Sequence, residues 1–378
     1  MTNDDWGNEM EKQMNRRKFL TLSGAGAMGL AAGMLPQLAS AKEKLTIGIV
    51  YVGARDDFGW NQSHAVAAQA LRGLPNVNVV EEENVPETIA VRKTMESMIQ
   101  LDGASLILGT SFGYYDPYMV DLARAYPDVQ FRHASKLWDP SKAPNNLGGF
   151  FAYRDQGHYV NGVAAGLSTK TNKIGYVAAK PIGLVLRTIN SFTLGVRKVN
   201  PNATVQLIFT GDWSLPVREA EATNALISSG CDVIACHVDS PKVVVQTAEQ
   251  HGVKSCGHNT SQAVLAPKGF ITGAEAKWET AYKAYAIDIA AGRKLPNLIF
   301  GGYDKDLVAS TPFGAGATEG ARKAALQAIA DLKAGKPVYV GPIRNNTGKI
   351  VIDKTYGNYD PFLEQTTYLV EGVHGSIA

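Results

Sequence analysis

From about residue 45 onward, short apolar runs alternate with stretches of helical period, and the alternation occurs twice. Residues 45–52, Leu-Thr-Ile-Gly-Ile-Val-Tyr-Val, are apolar almost without interruption, which marks a strand covered on both faces. An alanine-rich helix is expected over 62–71, a strand over 77–80 and a helix over 87–100, with Ile89, Met95, Met98 and Ile99 near one face. A strand over 105–110, a helix over 116–126 and a strand over 129–133 complete the first set. The second set has helices at 155–168, 182–199, 216–229 and 241–251, and strands at 173–178, 204–209, 232–237, 253–256 and 270–272. Helices over 278–291 and 318–334 follow. No repeat is visible residue by residue. Strand, helix, strand at this spacing predicts parallel sheets flanked by helices.

The chain is therefore expected to be α/β, with two lobes joined by crossing segments. The first lobe is expected to take residues 42–154 plus about 274–300, and the second 155–273 plus about 301–352. The tail, 353–378, is rich in Tyr, Gly and Asp and is expected to lie as an ordered extension over the surface. Open α/β sheets bind ligands beyond the carboxyl ends of their strands, so the cleft between the lobes is where chemistry is sought.

The first 41 residues belong to neither lobe. Asn15-Arg16-Arg17-Lys18-Phe19-Leu20 precedes a soft apolar run that closes on Ala39-Ser40-Ala41, an A-x-A cleavage site. This pattern is an export signal, and its Arg-Arg-x-Phe-Leu order looks like a twin-arginine (Tat) signal. Gly24-Ala25-Gly26-Ala27-Met28-Gly29 spells a dinucleotide fingerprint, but it lacks the strand and helix that such a fingerprint needs. Glycines and Pro36 interrupt the run, and no cysteine stands near the cleavage site, so neither a permanent anchor nor a lipid anchor is expected. A soluble periplasmic protein is the expectation. The leader carries four basic and four acidic side chains, so the mature chain keeps the net charge of +2. That near-neutral balance argues against nucleic acid as a partner.

Cys231, Cys236 and Cys256 are an odd number, so at least one thiol stays free or pairs between molecules. Cys236 and Cys256 lie on expected neighbouring strands, where a disulfide or buried free thiols are both open. Cys236-His237 and Cys256-Gly257-His258 lack the close ligand spacing of a zinc site, so no metal is expected.

The strand ends carry the candidate chemistry. Gly53-Ala54-Arg55-Asp56-Asp57-Phe58-Gly59-Trp60-Asn61 follows the first strand and Ser111-Phe112-Gly113-Tyr114-Tyr115 the third. Gly149-Phe150-Phe151-Ala152-Tyr153-Arg154 lies at the first crossing. Gly211-Asp212-Trp213, Val238-Asp239-Ser240 and Gly257-His258-Asn259-Thr260 end strands of the second set. Aromatic rings beside Asp and Asn suit a flat, polar heterocycle: rings stack on its faces, a carboxylate accepts from its N–H groups, and an amide matches an edge that both donates and accepts. Trp60, at a loop tip, would otherwise expose a large ring. Asp239 also stands where a helix beginning near Pro241 wants an N-cap, and Lys277 precedes a helix, where a solvated charge is ordinary.

Asp56-Asp57-Phe58-Gly59-Trp60-Asn61 resembles the opening loop of the BMP (basic membrane protein) family of substrate-binding proteins of ABC importers, similar to purine-nucleoside-binding lipoproteins. Gly109-Thr110-Ser111-Phe112-Gly113, Tyr159-Val160-Asn161-Gly162-Val163-Ala164-Ala165, Lys173-Ile174-Gly175-Tyr176-Val177, Gly230-Cys231-Asp232-Val233-Ile234 and the Asp239-Ser240 turn support it. The resemblance implies a two-lobe periplasmic-binding fold of type I, closing on a purine nucleobase or nucleoside and presenting it to an ABC permease, with no cofactor. By position it implies stacking by Trp60, base-edge contacts from Asp57 and Asn61, and Phe112 on the opposite side. It implies ribose contacts from Asp239 and Lys277, and the remaining strand-end candidates are Trp213 and Asn259. The chain departs from the family in carrying Gly257-His258-Asn259 at a turn that is often acidic, and Trp60 where Phe is commoner.

A receptor-linked sensing module would use the same cleft. A nucleoside hydrolase needs more carboxylates than Asp56 and Asp57 to hold calcium. No G-x-S-x-G elbow or Walker motif occurs, and Gly314-Ala315-Gly316-Ala317-Thr318 reads as a helix start capped by Thr318.

Overall fold

The computed structural model describes residues 44–377. The twin-arginine segment, the G-x-G-x-x-G run and the cleavage site lie outside the described residues. In chain order the first lobe is built from β1 (Leu45–Val50), α1 (Trp60–Arg72), β2 (Val77–Glu82), α2 (Ile89–Gln100), β3 (Leu106–Gly109), α3 (Val120–Ala125), β4 (Gln130–His133) and β5 (Leu147–Ala152). The second holds α4 (Asp155–Gly166), β6 (Lys173–Ala178), α5 (Gly183–Val199), β7 (Thr204–Phe209), α6 (Pro216–Ser228), β8 (Val233–His237), α7 (Lys242–Gln250), β9 (Lys254–Asn259) and β10 (Phe270–Ala276). The chain then crosses back through α8 (Trp278–Ala290), which packs on α1, and β11 (Leu298–Gly301), which pairs with β5. It returns through β12 (Val308–Ser310), antiparallel to β10, and α9 (Glu319–Lys333), which packs on α4.

The first sheet runs β2-β1-β3-β4-β5-β11 and is parallel throughout. The second runs β15-β7-β6-β8-β9-β10-β12, with β15 (Val373–His374) at its edge. The first five strands of each lobe thus share one spatial order, a repeat of topology that the residues do not display. Every residue of β1 is buried, as a doubly covered strand requires. Among the described residues three segments cross between lobes: Tyr153-Arg154, Lys277, and residues 302–307. In both sheets the order reverses beside the first strand, so the crevice forms beyond β1 and β3 on one side and β6 and β8 on the other.

Several expectations need physical qualification. β5 is a strand where only a crossing was expected, and it contains Gly148 and Gly149. Those glycines are small because neighbouring backbone presses on them, at Asn297 and at Ser135. Pro117 and the non-helical Asp116 break the helix expected over 116–126, leaving α3 shorter. A hairpin of β13 (Ile343–Arg344) and β14 (Ile350–Ile352) precedes the tail, which is woven into the second lobe by α10 (Pro361–Glu364), by β15 and by bridges from Tyr356 to Tyr339 and Val370 to Asn345. Leu363, Leu369, Val370 and Val373 are buried there. All three cysteines are free and buried. Burial pushes the Cys256 thiol up to about 12. Thr318 does cap α9, its Oγ1 accepting from Ala321 N at 3.1 Å, and Arg322 donates to the carbonyls of Phe313, Gly314 and Ala317.

The Tyr159–Ala165 segment has a packing reason. A Cβ on Gly162 would overlap the Phe192 carbonyl oxygen and stand 2.9 Å from its carbon, so α4 meets α5 backbone to backbone. Gly162→Val is expected to lower stability by about 3 kcal/mol or more, since a close-packed crossing cannot absorb the volume. A urea melt with an unchanged midpoint would contradict this packing.

Candidate functional site

The loop between β1 and α1 folds around Asp57. Its carboxylate accepts from the backbone N–H of Gly59 (2.8 Å), Gln62 (2.9 Å) and Asn61 (3.0 Å), and from the Asn61 side-chain amide (2.8 Å). Asn61 is buried, and its Oδ1 accepts from Gly53 N at 3.2 Å. The structure therefore spends Asp57 and Asn61 on one another and on the start of α1. This task competes with the base-edge contacts expected of them. Asp57 supplies the negative charge that a helix N-terminus favours.

That braced loop carries Phe58, Gly59 and Trp60 against the second lobe. Trp60 N donates to the Asp239 carbonyl at 2.8 Å, Ser240 Oγ to the Asp57 carbonyl at 2.6 Å, and Gln262 Nε2 to the Phe58 carbonyl at 2.6 Å. The Lys242 ammonium lies 5.6 Å from the Phe58 ring. The lobes are thus shut on each other along this seam.

Trp60 is half-buried, and its Nε1 donates to the Thr110 carbonyl at 2.8 Å. Its ring stands edge-on to His64 (4.7 Å) and Trp278 (5.7 Å). His64 in turn stacks on Trp278 at 4.9 Å and shares a hydrogen bond of 2.7 Å between Nδ1 and Tyr282 OH. Burial and the nearby Arg154 charge push His64 well below the usual imidazole range.

Arg154 is the hub of the seam. It is buried on the first crossing, with its guanidinium 4.9 Å from the Trp60 ring centre and 5.9 Å from that of Trp278. Its Nη1 donates to Asn259 Oδ1, and its buried Nε has no partner among the described residues. Burial lowers it to about 10, with Asp239 and Asp155 opposing, so it remains a cation at neutral pH. The sequence places Arg154 at the first crossing but gives it no ligand role. An arginine ending an apolar crossing segment was the available signal.

Asp239 completes the group. Its backbone N–H donates to Trp213 O at 2.8 Å, while no hydrogen bond reaches its half-buried carboxyl from the described residues. Burial, then the charge of Asp57, pushes that carboxyl up to about 8, with Arg154 pulling the other way. The folded chain therefore holds a proton that the unfolded chain releases near the ordinary carboxyl value of 3.8. The contribution of this site to stability should fall as pH rises from about 4 to about 8, by at most about 1.4 kcal/mol per pH unit. Asp239→Asn is expected to flatten that part of the curve of urea midpoint against pH. An unaltered slope would count against it.

The other candidates are placed differently. Trp213 is half-buried beside the seam, its ring 6.3 Å from His237. Phe112 is 66% exposed on a short 3-10 turn and leans on His133 at 6.4 Å; it makes no ring contact with Trp60 among the described residues. The Lys277 ammonium pairs with Asp306 at 2.7 Å, and no described contact brings it to Asp239. Among the described residues no group of three or more His, Cys, Asp or Glu is placed to hold a metal ion. Surface hollows of about 470 Å³ at Gln130, Asn146 and Arg293, and about 370 Å³ at Glu82, Lys93 and Asp102, lie away from the strand ends that form the seam. Neither gathers the unpartnered buried polar atoms found at the seam.

The comparisons with known proteins agree with this architecture. The chain is 33% identical over 322 residues to a purine-binding protein of Brucella abortus, covering 84% of this chain and 90% of that one. It is 35% identical over 243 residues to a Haloferax volcanii protein described as an ABC transporter glucose-binding protein, covering 64% of this chain and 60% of the other. A solved solute-binding protein of an ABC transporter system from Conexibacter woesei superposes with a TM-score of 0.66 at 21% identity, over 77% of this chain and 97% of that one. No helix among the described residues is long and apolar enough to cross a membrane. Residues 44–310 match the model of the family described as "ABC transporter substrate-binding protein PnrA-like", and the chain belongs to this Bmp family of solute-binding proteins.

Proposed function

We propose that the chain captures a purine nucleobase or nucleoside between its lobes and delivers it to an ABC permease for import. The observation that carries this reading is the chemistry of the seam. An indole, a buried guanidinium and a half-buried carboxyl that receives no hydrogen bond from the described residues come together where the lobes touch. Trp60 supplies an aromatic wall, Arg154 a donor, and Asp239 an acceptor for an exocyclic amine or a ribose hydroxyl. Asn259 steadies Arg154, Trp213 backs Asp239, and Phe112 stands at the rim. Asp57 and Asn61 hold the loop rather than the base. The purine-binding relative in Brucella abortus supports this ligand class. Closure is driven by the ligand's preference for the shut form. The twin-arginine leader, cleaved after about Ala41, would place the mature protein in the periplasm.

The glucose-binding description of the Haloferax volcanii relative favours a second reading, in which an aromatic face and a carboxylate hold a sugar. A thermal-shift panel on the refolded mature chain separates them, because a ligand bound only by the folded state raises the melting temperature by mass action. Purine bases or nucleosides are expected to raise it, and pyrimidines and glucose are not. A rise with glucose alone would overturn the purine reading.

A further inference from the structure

Three buried histidines lie behind the seam in the second lobe, and the proposed capture by Trp60, Arg154 and Asp239 makes no use of them. Tyr176 OH stands 3.0 Å from His158 Nδ1, and His158 Nε2 stands 2.8 Å from His258 Nδ1. The far nitrogen, His258 Nε2, is buried and has no partner among the described residues. His258 lies at the seam wall: Gln262 accepts from its N–H, donates to its carbonyl, and also donates to the Phe58 carbonyl of the opposite lobe. The next residue, Asn259, receives Arg154. The His237 ring lies 4.3 Å away, two residues before Asp239.

The direction of the chain follows from Tyr176. Its hydroxyl is buried in the core, and His158 is its hydrogen-bond partner among the described residues. A buried O–H left without an acceptor is costly; nothing in the core can relieve Tyr176, whereas an N–H at the seam end of the chain can be met by a ligand, so the phenol donates to His158 Nδ1. His158 then carries its proton on Nε2 and donates to His258 Nδ1. His258 must in turn carry its proton on Nε2. Burial and the Arg154 charge keep His158 and His258 far below the usual imidazole range, so both rings are neutral and each has one N–H.

We infer that His258 presents Nε2–H as a fixed donor to the ligand in the seam, with Tyr176 and His158 as positioning residues that set its tautomer. The inference deepens the purine reading and rests on it. A neutral donor beside Arg154 selects a flat heterocycle with an acceptor at the matching edge, a ring nitrogen or a carbonyl oxygen.

Two measurements test this. In ¹⁵N-histidine NMR of the ligand-free protein, His258 should show its proton on Nε2, and Tyr176→Phe should convert it to a mixture of tautomers. In calorimetry, adenine and hypoxanthine are compared with analogues in which one ring nitrogen at a time is replaced by C–H. One such analogue should lose about tenfold or more in affinity for the wild type, the scale of one hydrogen bond. His258→Phe should bind that analogue and its parent within about twofold of each other. A proton on His258 Nδ1 in the wild type, or wild-type discrimination retained by His258→Phe, would overturn the assignment. Should His258→Phe not fold, Tyr176→Phe and the tautomer signature carry the test. Because the NMR arm needs no ligand, failure of every purine to bind would remove the ligand class while still leaving the tautomer to be judged.

Discussion

Gly59→Ala should lower ligand affinity by about 100-fold or more, equivalent to about 2.7 kcal/mol, while leaving both lobes folded. A Cβ at this position would overlap the Asp239 carbonyl oxygen and stand 2.8 Å from both the Asp239 carbonyl carbon and Pro241 Cδ. The overlap lies between lobes, so a small separation relieves it without disturbing either core. That separation breaks the Trp60 N–Asp239 O bond and loosens Ser240–Asp57 and Gln262–Phe58 with it. Each such bond contributes about 1 kcal/mol net. The variant therefore keeps its far-ultraviolet spectrum and most of its ligand-free stability, and loses the shut state to which a ligand binds best. Calorimetric titration with the best purine, beside a urea melt, separates the two effects. Tight binding by folded Gly59→Ala would mean that the seam does not govern capture.

Arg154→Met should produce the second large effect. The substitution keeps much of the side-chain bulk and removes the cation. Asn259 then loses its donor, and the ligand loses the buried Nε–H that no described protein atom accepts. A loss of about 100-fold in affinity is expected, equivalent to about 2.7 kcal/mol and within the roughly 1.5–3 kcal/mol of a hydrogen bond to a charged group. Ligand-free stability should change much less, because an apolar replacement also removes the cost of burying a charge. Loss of binding without loss of stability would mark Arg154 as a residue kept for its ligand. Affinity within threefold of the wild type would remove it from the site.

Much of this fold was legible in the sequence. The strands Lys173–Ala178 and Thr204–Phe209 run where the apolar pattern puts them: the first is a nearly unbroken apolar run buried on both faces, and the second alternates, with Val205 and Leu207 buried between half-buried positions. The late strands were not legible. Leu298–Gly301, Val308–Ser310 and Val373–His374 are two to four residues long and owe their pairing to partners distant in sequence.

The site was legible to a different degree. Strand ends pointed to Trp60 and Asp239, which the structure brings together across the lobes. Residue type could not show where a side chain would spend its hydrogen bonds. Asp57, Asn61 and Lys277 have the chemistry of ligand contacts, and local partners claim all three. The reverse held for Arg154 and His64, which sit at a crossing and in a helix and which only tertiary packing places at the seam; His258, in a strand-end segment, is placed behind it by its contacts with His158 and Gln262.

Small-angle scattering during titration with a purine tests most directly whether capture and closure are one event. The mature wild-type chain is expected to contract as the ligand saturates it, and Gly59→Ala to stay expanded at the same ligand concentration. Purine binding by the wild type with no contraction, or contraction by Gly59→Ala equal to that of the wild type, would contradict the account.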